Sequence, residues 1–593
     1  MGRAAIAQVK FGDFTASLSG TVSPGYSATY GNQVGANHNW ALAGAGTLSG
    51  NYYSPNFLSY NTTYFLNQSR ANSNFQSISS ASGVNLSTSI FGGSRFPGAI
   101  SYSDTFNSEG NYDVPGLANY VTHGDSSTFS ANWNENMPKL PSLSAGYQRG
   151  SSQYTVYGID DEGTNSFNSV NVHSGYRLAG FNLGAYYSAG DSHSIIPELT
   201  GDETTEIQSS SDATGANVSH SLPMNGSASA SYNRSRWGST YLGSSSSGTI
   251  DMINTMATVH PTQKLSFTTS VNYSDNLAGQ LLEAVVAAGG AVSGANTGQS
   301  SSSFDFLSVA TWAATPHLQT SVSAERRSQT YLGESYGDNS FTGGATYLCN
   351  IFQGSLNASL SLTDNVDDQS GDNTLGYSFN ENYSRKVEGW HVNETFGYAQ
   401  NVETLLVTYM NSYYNYSINA RRNWGTFNLS FGAGGSHTAL TQQAGTSSGS
   451  QSYSGSFGYG QYISASGSYS KADGQALQTG AGLVSVPVPS PVLPSSLISL
   501  YGGDSYSVGL SSMPVKKLVL TASWAHSITN ISTNGSASAN ENDEFSTLIQ
   551  YQTRKLSYNS GYARLGQGFG ASGSPAAIVS SYYVGISRWF NIF

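Results

Sequence analysis

The stretch Leu-Ser-Phe-Thr-Thr-Ser-Val-Asn-Tyr-Ser at residues 265–274 decides the fold class. Apolar or β-branched residues fill its odd positions, and small polar residues fill most of its even positions. Because successive side chains of a β-strand point to opposite faces, the stretch predicts a strand with one apolar face and one polar face. The same alternation recurs at 355–362, 427–432 and 518–525. The chain is therefore predicted to be all-β.

The connections between the alternating segments are short and long in turn. Short turns are predicted around Tyr53–Pro55, Arg95–Gly98, Met137–Pro141, Leu178–Phe181, Pro223–Gly226, His260–Lys264, Pro316, Phe352–Gly354, Glu388–Trp390, Asn423–Thr426, Gly458–Tyr462, Met513–Lys517 and Thr553–Leu556. Longer loops are predicted between them, as at Asp191–Asp212, Asn276–Ser303, Asp364–Thr374 and Leu477–Asp504. This asymmetry is typical of outer-membrane barrels, with short periplasmic turns and long extracellular loops.

Counting the strands beside these turns predicts the size of the barrel. The thirteen turns imply 26 strands, and a first strand near Phe14–Val22 with a last one at Ser581–Phe590 brings the number to 28. We therefore expect a transmembrane antiparallel β-barrel of about 26–28 strands formed by residues 8–593. Residues 1–7 are interpreted as a signal-peptide remnant or a disordered N-terminus.

Composition supports a membrane barrel over a water-soluble domain. Charged residues make up 10% of the chain, whereas soluble domains carry about a quarter. The 39 tyrosines and 25 phenylalanines argue against a disordered polar chain. The net charge of -12 gives no basic surface for nucleic acid. We expect the chain to lie in a bacterial outer membrane, in contact with lipid and lipopolysaccharide.

The interior of such a barrel is predicted to be wide and weakly charged. With strands about 4.8 Å apart and tilted by about 40°, a 28-stranded wall is on the order of 55 Å across. Its inward face is expected to consist of Ser, Thr, Asn, Gly and Ala. Because barrel-like hairpins begin near Phe14, we expect no plug domain like that of TonB-dependent transporters.

These features resemble the barrel component of porin–cytochrome electron conduits. The resemblance is one of architecture and rests on strand number, turn asymmetry, the missing plug and the low-charge lumen. It implies a sheath around a multihaem cytochrome, bound in the lumen and at the extracellular loops. Some members carry an N-terminal Cys-x-x-Cys, which this chain lacks, since Cys349 is its only cysteine. No cofactor is expected on this chain itself. The alternatives are a stand-alone diffusion porin and a surface adhesin.

Two groups of residues are candidate binding sites. Four aspartates in one predicted loop could hold Ca²⁺ through carboxylate oxygens, or form a solvated acidic loop: Asp364, Asp367, Asp368 and Asp372. Apolar residues in three predicted loops could dock an extracellular partner, or fold inward over the mouth: Ile195, Ile196, Leu281, Leu282, Val285, Val488, Val492, Leu493 and Leu497. The ten histidines are scattered and none forms a His-x-x-x-His or Glu-paired cluster, so no metal site is predicted. No catalytic nucleophile stands out either, so enzymatic activity is not expected.

Overall fold

The computed structural model describes residues 9–32, 36–71, 76–112, 120–156, 162–197, 204–241, 244–277, 301–331, 333–369, 371, 373–403, 410–440, 447–479, 482–485, 498–533, 536–553, 555–569 and 577–591. The regular elements in these ranges are β-strands. They are β1 Val9–Phe11, β2 Phe14–Gly31, β3 Asn37–Tyr52, β4 Leu58–Ala71, β5 Gln76–Ile90, β6 Gly98–Tyr112, β7 Tyr120–Glu135, β8 Ser142–Val156, β9 Glu162–Leu178, β10 Phe181–Pro197, β11 Thr204–Leu222, β12 Gly226–Tyr241, β13 Ser244–Thr262, β14 Leu265–Ser274, β15 Ser302–Ala313, β16 Leu318–Tyr331, β17 Glu334–Ile351, β18 Gly354–Asp367, β19 Asn373–Val387, β20 Trp390–Glu403, β21 Met410–Trp424, β22 Phe427–Leu440, β23 Ser447–Tyr459, β24 Ile463–Thr479, β25 Gly482–Ser485, β26 Ile498–Ser512, β27 Leu518–Thr533, β28 Ser536–Thr553, β29 Leu556–Phe569 and β30 Ala577–Asn591.

Twenty-eight of these strands form one closed antiparallel wall, which confirms the predicted fold class. Each of them pairs with its neighbours in the chain, and β24 pairs with β26 past the short β25. The wall closes where β2 pairs with β30, from Ser19 opposite Asn591 to Gly31 opposite Val579. Below this seam, β1 pairs with the start of β2. Closure satisfies the backbone groups that a free sheet edge would expose to lipid.

The thirteen predicted short turns are all confirmed, and they all lie at the same end of the barrel. Several are two-residue turns with positive φ at both positions, such as Phe352 (φ 50) with Gln353 (φ 63) and Glu388 (φ 48) with Gly389 (φ 83). This left-handed geometry matches the twist of the flanking strands. It fixes the register of each hairpin.

The register also determines the width of the barrel. A path that follows the paired residues once around the wall returns to β2 about 32 residues from its start, and this offset is the shear of the barrel. For 28 strands, a shear of about 32 corresponds to a strand tilt of about 40° and a barrel diameter on the order of 50 Å. Each residue then advances about 2.5 Å along the barrel axis. A strand of 14 to 19 residues is therefore longer than the apolar band of the membrane, about 25 Å tall.

One face of the wall is apolar and exposed. Leu360 and Leu362 of β18 and Leu510 of β26 are each about half exposed, with Ser and Gly between them on the other face. Aromatic residues line this apolar face near the short turns, as with Trp390 and Trp424, where amphipathic rings favour the membrane interface. Exposed apolar side chains in a closed barrel face lipid. Among the described residues there is no helix long and apolar enough to cross a membrane.

The extracellular side differs from the prediction. Most of the loop predicted at Asp191–Asp212 belongs to β10 and β11, which stay paired up to Pro197 and Thr204. Most of the loop predicted at Asp364–Thr374 belongs to β18 and β19. These segments carry polar residues on both faces, so their hydrophobic pattern is that of a loop. The wall nevertheless continues above the bilayer, because backbone pairing needs no apolar face in water.

Candidate functional site: the lumen wall and its ionic cluster

The lumen face of the wall is built of hydroxyl and amide side chains. Serines opposite one another on neighbouring strands bring their hydroxyl groups within hydrogen-bond distance. Such pairs at 2.6 Å are Ser101–Ser130, Ser361–Ser378, Ser430–Ser456, Ser468–Ser507 and Ser523–Ser546. Because these groups satisfy one another across the strands, the wall is smooth, neutral and wettable.

Charged residues are scarce on this face. From β22 to β27, the positions described on the lumen side hold Ser, Gly, Ala, Asn, Thr and a few other neutral residues, and none of them is charged. Elsewhere, lumen-side cations lie near the short turns, as with Arg177 and Lys386. The low-charge lumen predicted from composition is thus present in the described wall.

A compact group of ionisable side chains interrupts this neutral surface near the extracellular end. The ionic cluster consists of Arg327, Glu325, Asp338 and Glu403. Nη1 of Arg327 donates to Oε2 of Glu403 at 2.8 Å, and Nε of Arg327 lies 3.8 Å from Oε1 of Glu325. The side chains of Arg327 and Glu403 are only 13% and 11% exposed, and Asp338, which contacts Glu403, is 4% exposed. One guanidinium therefore faces three carboxyl groups away from bulk water.

The Arg327–Glu403 pair joins strands that are not neighbours, because β17, β18 and β19 lie between β16 and β20. The four strand spacings from β16 to β20 amount to about 19 Å. This separation is larger than the combined length of the Arg327 and Glu403 side chains in a wall of regular curvature. β20 has a bulge just before Glu403: its register shifts between Ala399 and Val402, and Asn401 between them has φ 54. Bulges bend a strand and redirect its side chains, so β20 departs from a regular strand immediately before Glu403.

The lumen face around the ionic cluster is buried, unlike most of the wall. Gln329, Ser340 and Asn365 are each at most 5% exposed and belong to β16, β17 and β18. Leu277 and Tyr331 form a small apolar core beside them, with Tyr336 stacked on Tyr331 at 4.5 Å between ring centroids. This sector therefore forms a packed polar and apolar patch at the mouth, and further buried patches lie at Phe65 and Ala81 and at Ile207, Trp237 and Ile250.

Of the four aspartates of the predicted calcium site, the three that the structure describes are not brought together. Asp364 and Asp367 lie on β18, three residues apart, so their side chains point to opposite faces of the wall. Asp368, beyond the end of β18, accepts two hydrogen bonds from Arg326, at 2.9 and 2.5 Å. This guanidinium holds the pKa of the Asp368 carboxyl below its usual range. Asp372 lies outside the described residues.

The predicted docking residues are mostly outside the described part of the chain. This holds for Leu281, Leu282, Val285, Val488, Val492, Leu493 and Leu497. Ile195 and Ile196 belong to β10, opposite Glu206 and Thr205 of β11, and not to a loop. They continue a paired wall, and their role in docking stays a prediction.

The expectation that histidines lack acidic partners is wrong at two positions, and at the first of these Nδ1 of His193 on β10 lies 3.7 Å from Oε1 of Glu206 on β11. Nδ1 of His526 on β27 lies 2.6 Å from Oδ1 of Asp543 on β28, and Glu541 is close by. A usable signal was present in Asn534-Gly535, a strong two-residue hairpin signature, which places residue 526 opposite residue 543. For Arg327 and Glu403, 76 residues apart, no linear signal exists.

No known protein-family profile and no curated protein matches this chain. Solved structures of outer-membrane transporters and receptors are similar to it. The FrpB iron transporter from Neisseria meningitidis (F3-3 variant) is 10% identical, with 97% of this chain and 81% of that chain covered and a TM-score of 0.34. The alcaligin outer-membrane receptor FauA from Bordetella pertussis is 11% identical, covering 71% and 75%, with a TM-score of 0.38. The copper transporter OprC is 8% identical, covering 98% and 81%, with a TM-score of 0.37.

The described wall closes on itself, turns an apolar face outward and keeps a polar face inside. A chain with these properties can hold its strands in lipid with every edge paired. The described residues of this chain form a large closed β-barrel of the outer-membrane type, with 28 strands in its wall.

Proposed function

We propose that this barrel is an outer-membrane conduit that houses or passes a large partner, in its most specific form a multihaem cytochrome carrying electrons across the membrane. The observation that carries the proposal is the wide lumen with its neutral wall of hydroxyl groups from β22 to β27. A diffusion porin commonly selects its solutes with charged rings in a narrow pore. A wall without fixed charge instead suits close contact with a folded protein or a polymer of either sign.

The width fits such an occupant. A barrel on the order of 50 Å between backbones, lined by small side chains, leaves an opening of about 40 Å. A compact domain of about 100 residues has a radius of gyration near 13 Å, which corresponds to a sphere about 34 Å across. A folded domain of this size would fill the lumen and restore the permeability barrier that an open pore of this width would breach.

The redox chemistry of the cytochrome form would belong to the partner. Covalent attachment of haem c uses a pair of cysteines, and this chain has Cys349 alone, on β17. The contribution of the barrel would be a low-dielectric sheath that keeps the redox centres from water and lipid. The partner would meet hydroxyl groups along the wall and the ionic cluster at the mouth.

A stand-alone porin is the second candidate, and the ionic cluster favours it. The contact between Arg327 and Glu403 across three strands and the buried patch on β16 to β18 support this candidate, because they fill one sector of the mouth with packed side chains. If other sectors were narrowed in the same way, the barrel would pass small solutes without a partner.

One preparation separates the two functions. The barrel is purified from native outer membranes in mild detergent, and its haem absorption spectrum and single-channel conductance are recorded. A Soret band that comigrates with the barrel, together with low conductance, is the expected result for the cytochrome sheath. A haem-free barrel whose lumen holds another protein supports the broader conduit. A haem-free, partner-free barrel with stable conductance refutes the conduit and supports the porin.

A further inference from the structure

Three side chains on the outer face of β27 and β28 form a group with the geometry of a metal site. His526 and Asp543 are directly opposite each other across the two strands, and Glu541 is two residues from Asp543 on the same face. One imidazole nitrogen and one oxygen of each carboxylate lie within 4.8 Å of one another. No other group of this kind occurs among the residues that the structure describes.

The imidazole is held in place by aromatic neighbours. Trp524 stacks on His526 at 6.1 Å between centroids with an interplanar angle of 11°, and the ring of Tyr506 lies 6.2 Å away. The His526 side chain is only 18% exposed, whereas that of Asp543 is 52% exposed. A ligand fixed in one orientation loses little conformational entropy on binding, and the open carboxylate side leaves a path for an ion.

A groove gives access to this group from the outside. Its lining includes Glu541, Asp543, Tyr562 and Arg564. His526 lies eight residues above the start of β27, which places it about 20 Å along the barrel axis from the short turns. With an apolar band about 25 Å tall, His526 lies within about 5 Å of the outer edge of that band, close to the outer headgroups. Water can therefore complete the coordination of a bound ion.

We propose that His526, Asp543 and Glu541 bind a divalent cation of the zinc class on the outer wall of the barrel. One nitrogen and two oxygen ligands with a water molecule make a tetrahedral set that suits Zn²⁺, whereas Ca²⁺ prefers six to eight oxygens. The cation would lie between Nδ1 of His526 and Oδ1 of Asp543 in place of the hydrogen bond that joins them. Its charge would offset both carboxylates and tie β27 to β28 through their side chains.

The test uses the full barrel purified in detergent without a polyhistidine tag. Zn²⁺ alone is titrated by equilibrium dialysis, and bound metal is measured by elemental analysis for the native chain and for H526Q, D543N and E541Q. H173Q is the matched control, because His173 is also a strand histidine beside a tyrosine ring, Tyr186 at 6.1 Å. A shift in electrophoretic mobility on heating shows that each variant is folded.

The expected result is one Zn²⁺ per barrel, with affinity lowered more than about tenfold in H526Q and D543N, since even loss of an outer-shell partner typically costs 10- to 100-fold. H173Q should bind like the native chain. E541Q, changed at an exposed position, serves as the variant whose folding is least at risk, and its affinity should also fall. The proposal is overturned if Zn²⁺ binding persists in H526Q. It is also overturned if the native chain takes up no Zn²⁺ at about 100 µM, a Kd that corresponds to a binding free energy of about -5.5 kcal/mol.

Discussion

Removing the guanidinium of the ionic cluster is expected to destabilise the barrel strongly. In R327M the side chain keeps much of its volume, but Glu403, Glu325 and Asp338 lose their cation. Because the side chains of Arg327 and Glu403 are little exposed, water compensates the stranded carboxylates poorly. Breaking a buried ion pair by removing one partner typically costs about 3–5 kcal/mol. At about 1.4 kcal/mol per decade, the unfolding equilibrium should shift by a factor of about 10² to 10³.

The adjacent residue supplies the control. Arg326 points to the opposite face and pairs with Asp368, where both side chains are about 40% exposed. Exposed pairs contribute about 0.2–1 kcal/mol, so R326M should cost far less than R327M. The free energy of unfolding is measured by urea titration of tryptophan fluorescence in detergent micelles, with the double variant R327M/E403Q to isolate the coupling. If R327M and R326M lose the same stability, the ionic cluster is not a buried tie between β16 and β20.

The opposite faces of β18 should differ in their tolerance of charge. L360R places a cation toward lipid near mid-membrane and should cost about 2–4 kcal/mol, whereas S359R points into the lumen and should cost little; equal losses in a urea titration would contradict the assigned faces. On the neutral lumen wall, S468R should leave folding intact and shift single-channel selectivity toward anions. It should also lower the amount of partner that copurifies with the barrel. Unchanged selectivity would show that Ser468 does not face the pore. The pair of Asp368 with Arg326 should be pH-dependent. Because the folded pKa of Asp368 is depressed, its stabilisation is complete above the usual Asp pKa and is lost as pH falls through the folded pKa. The stability difference between the native chain and D368N should therefore vanish in acid, and a difference that grows in acid would refute this sign.

Much of the fold follows from local pattern. The alternation at 265–274 and in similar stretches is enough to predict strands, because a strand between lipid and water must place apolar residues at every second position. The thirteen short turns follow from their own residues, such as Glu388 with Gly389. Strand number and the weakly charged lumen then follow by counting, and the structure confirms both.

The strands of the extracellular half could not be predicted from local sequence pattern. Above the bilayer both faces of a strand meet water, so the two-residue periodicity disappears although β10 and β11 remain paired. The four aspartates near Asp364 are close in sequence, yet strand geometry sends Asp364 and Asp367 to opposite faces. The calcium site was predicted from proximity in sequence. The pleat of β18 instead places two of its aspartates on opposite faces of the wall.

Sequence by itself determined the fold class, the short turns and the neutral character of the lumen, because each depends on contacts within a strand or a hairpin. Tertiary structure decided the two groups of charged residues. His526 meets Asp543 through the register of one hairpin, and Arg327 meets Glu403 across the three strands β17, β18 and β19. Contacts across several strands depend on tilt, curvature and bulges added up around the barrel, and these are properties of the assembled wall.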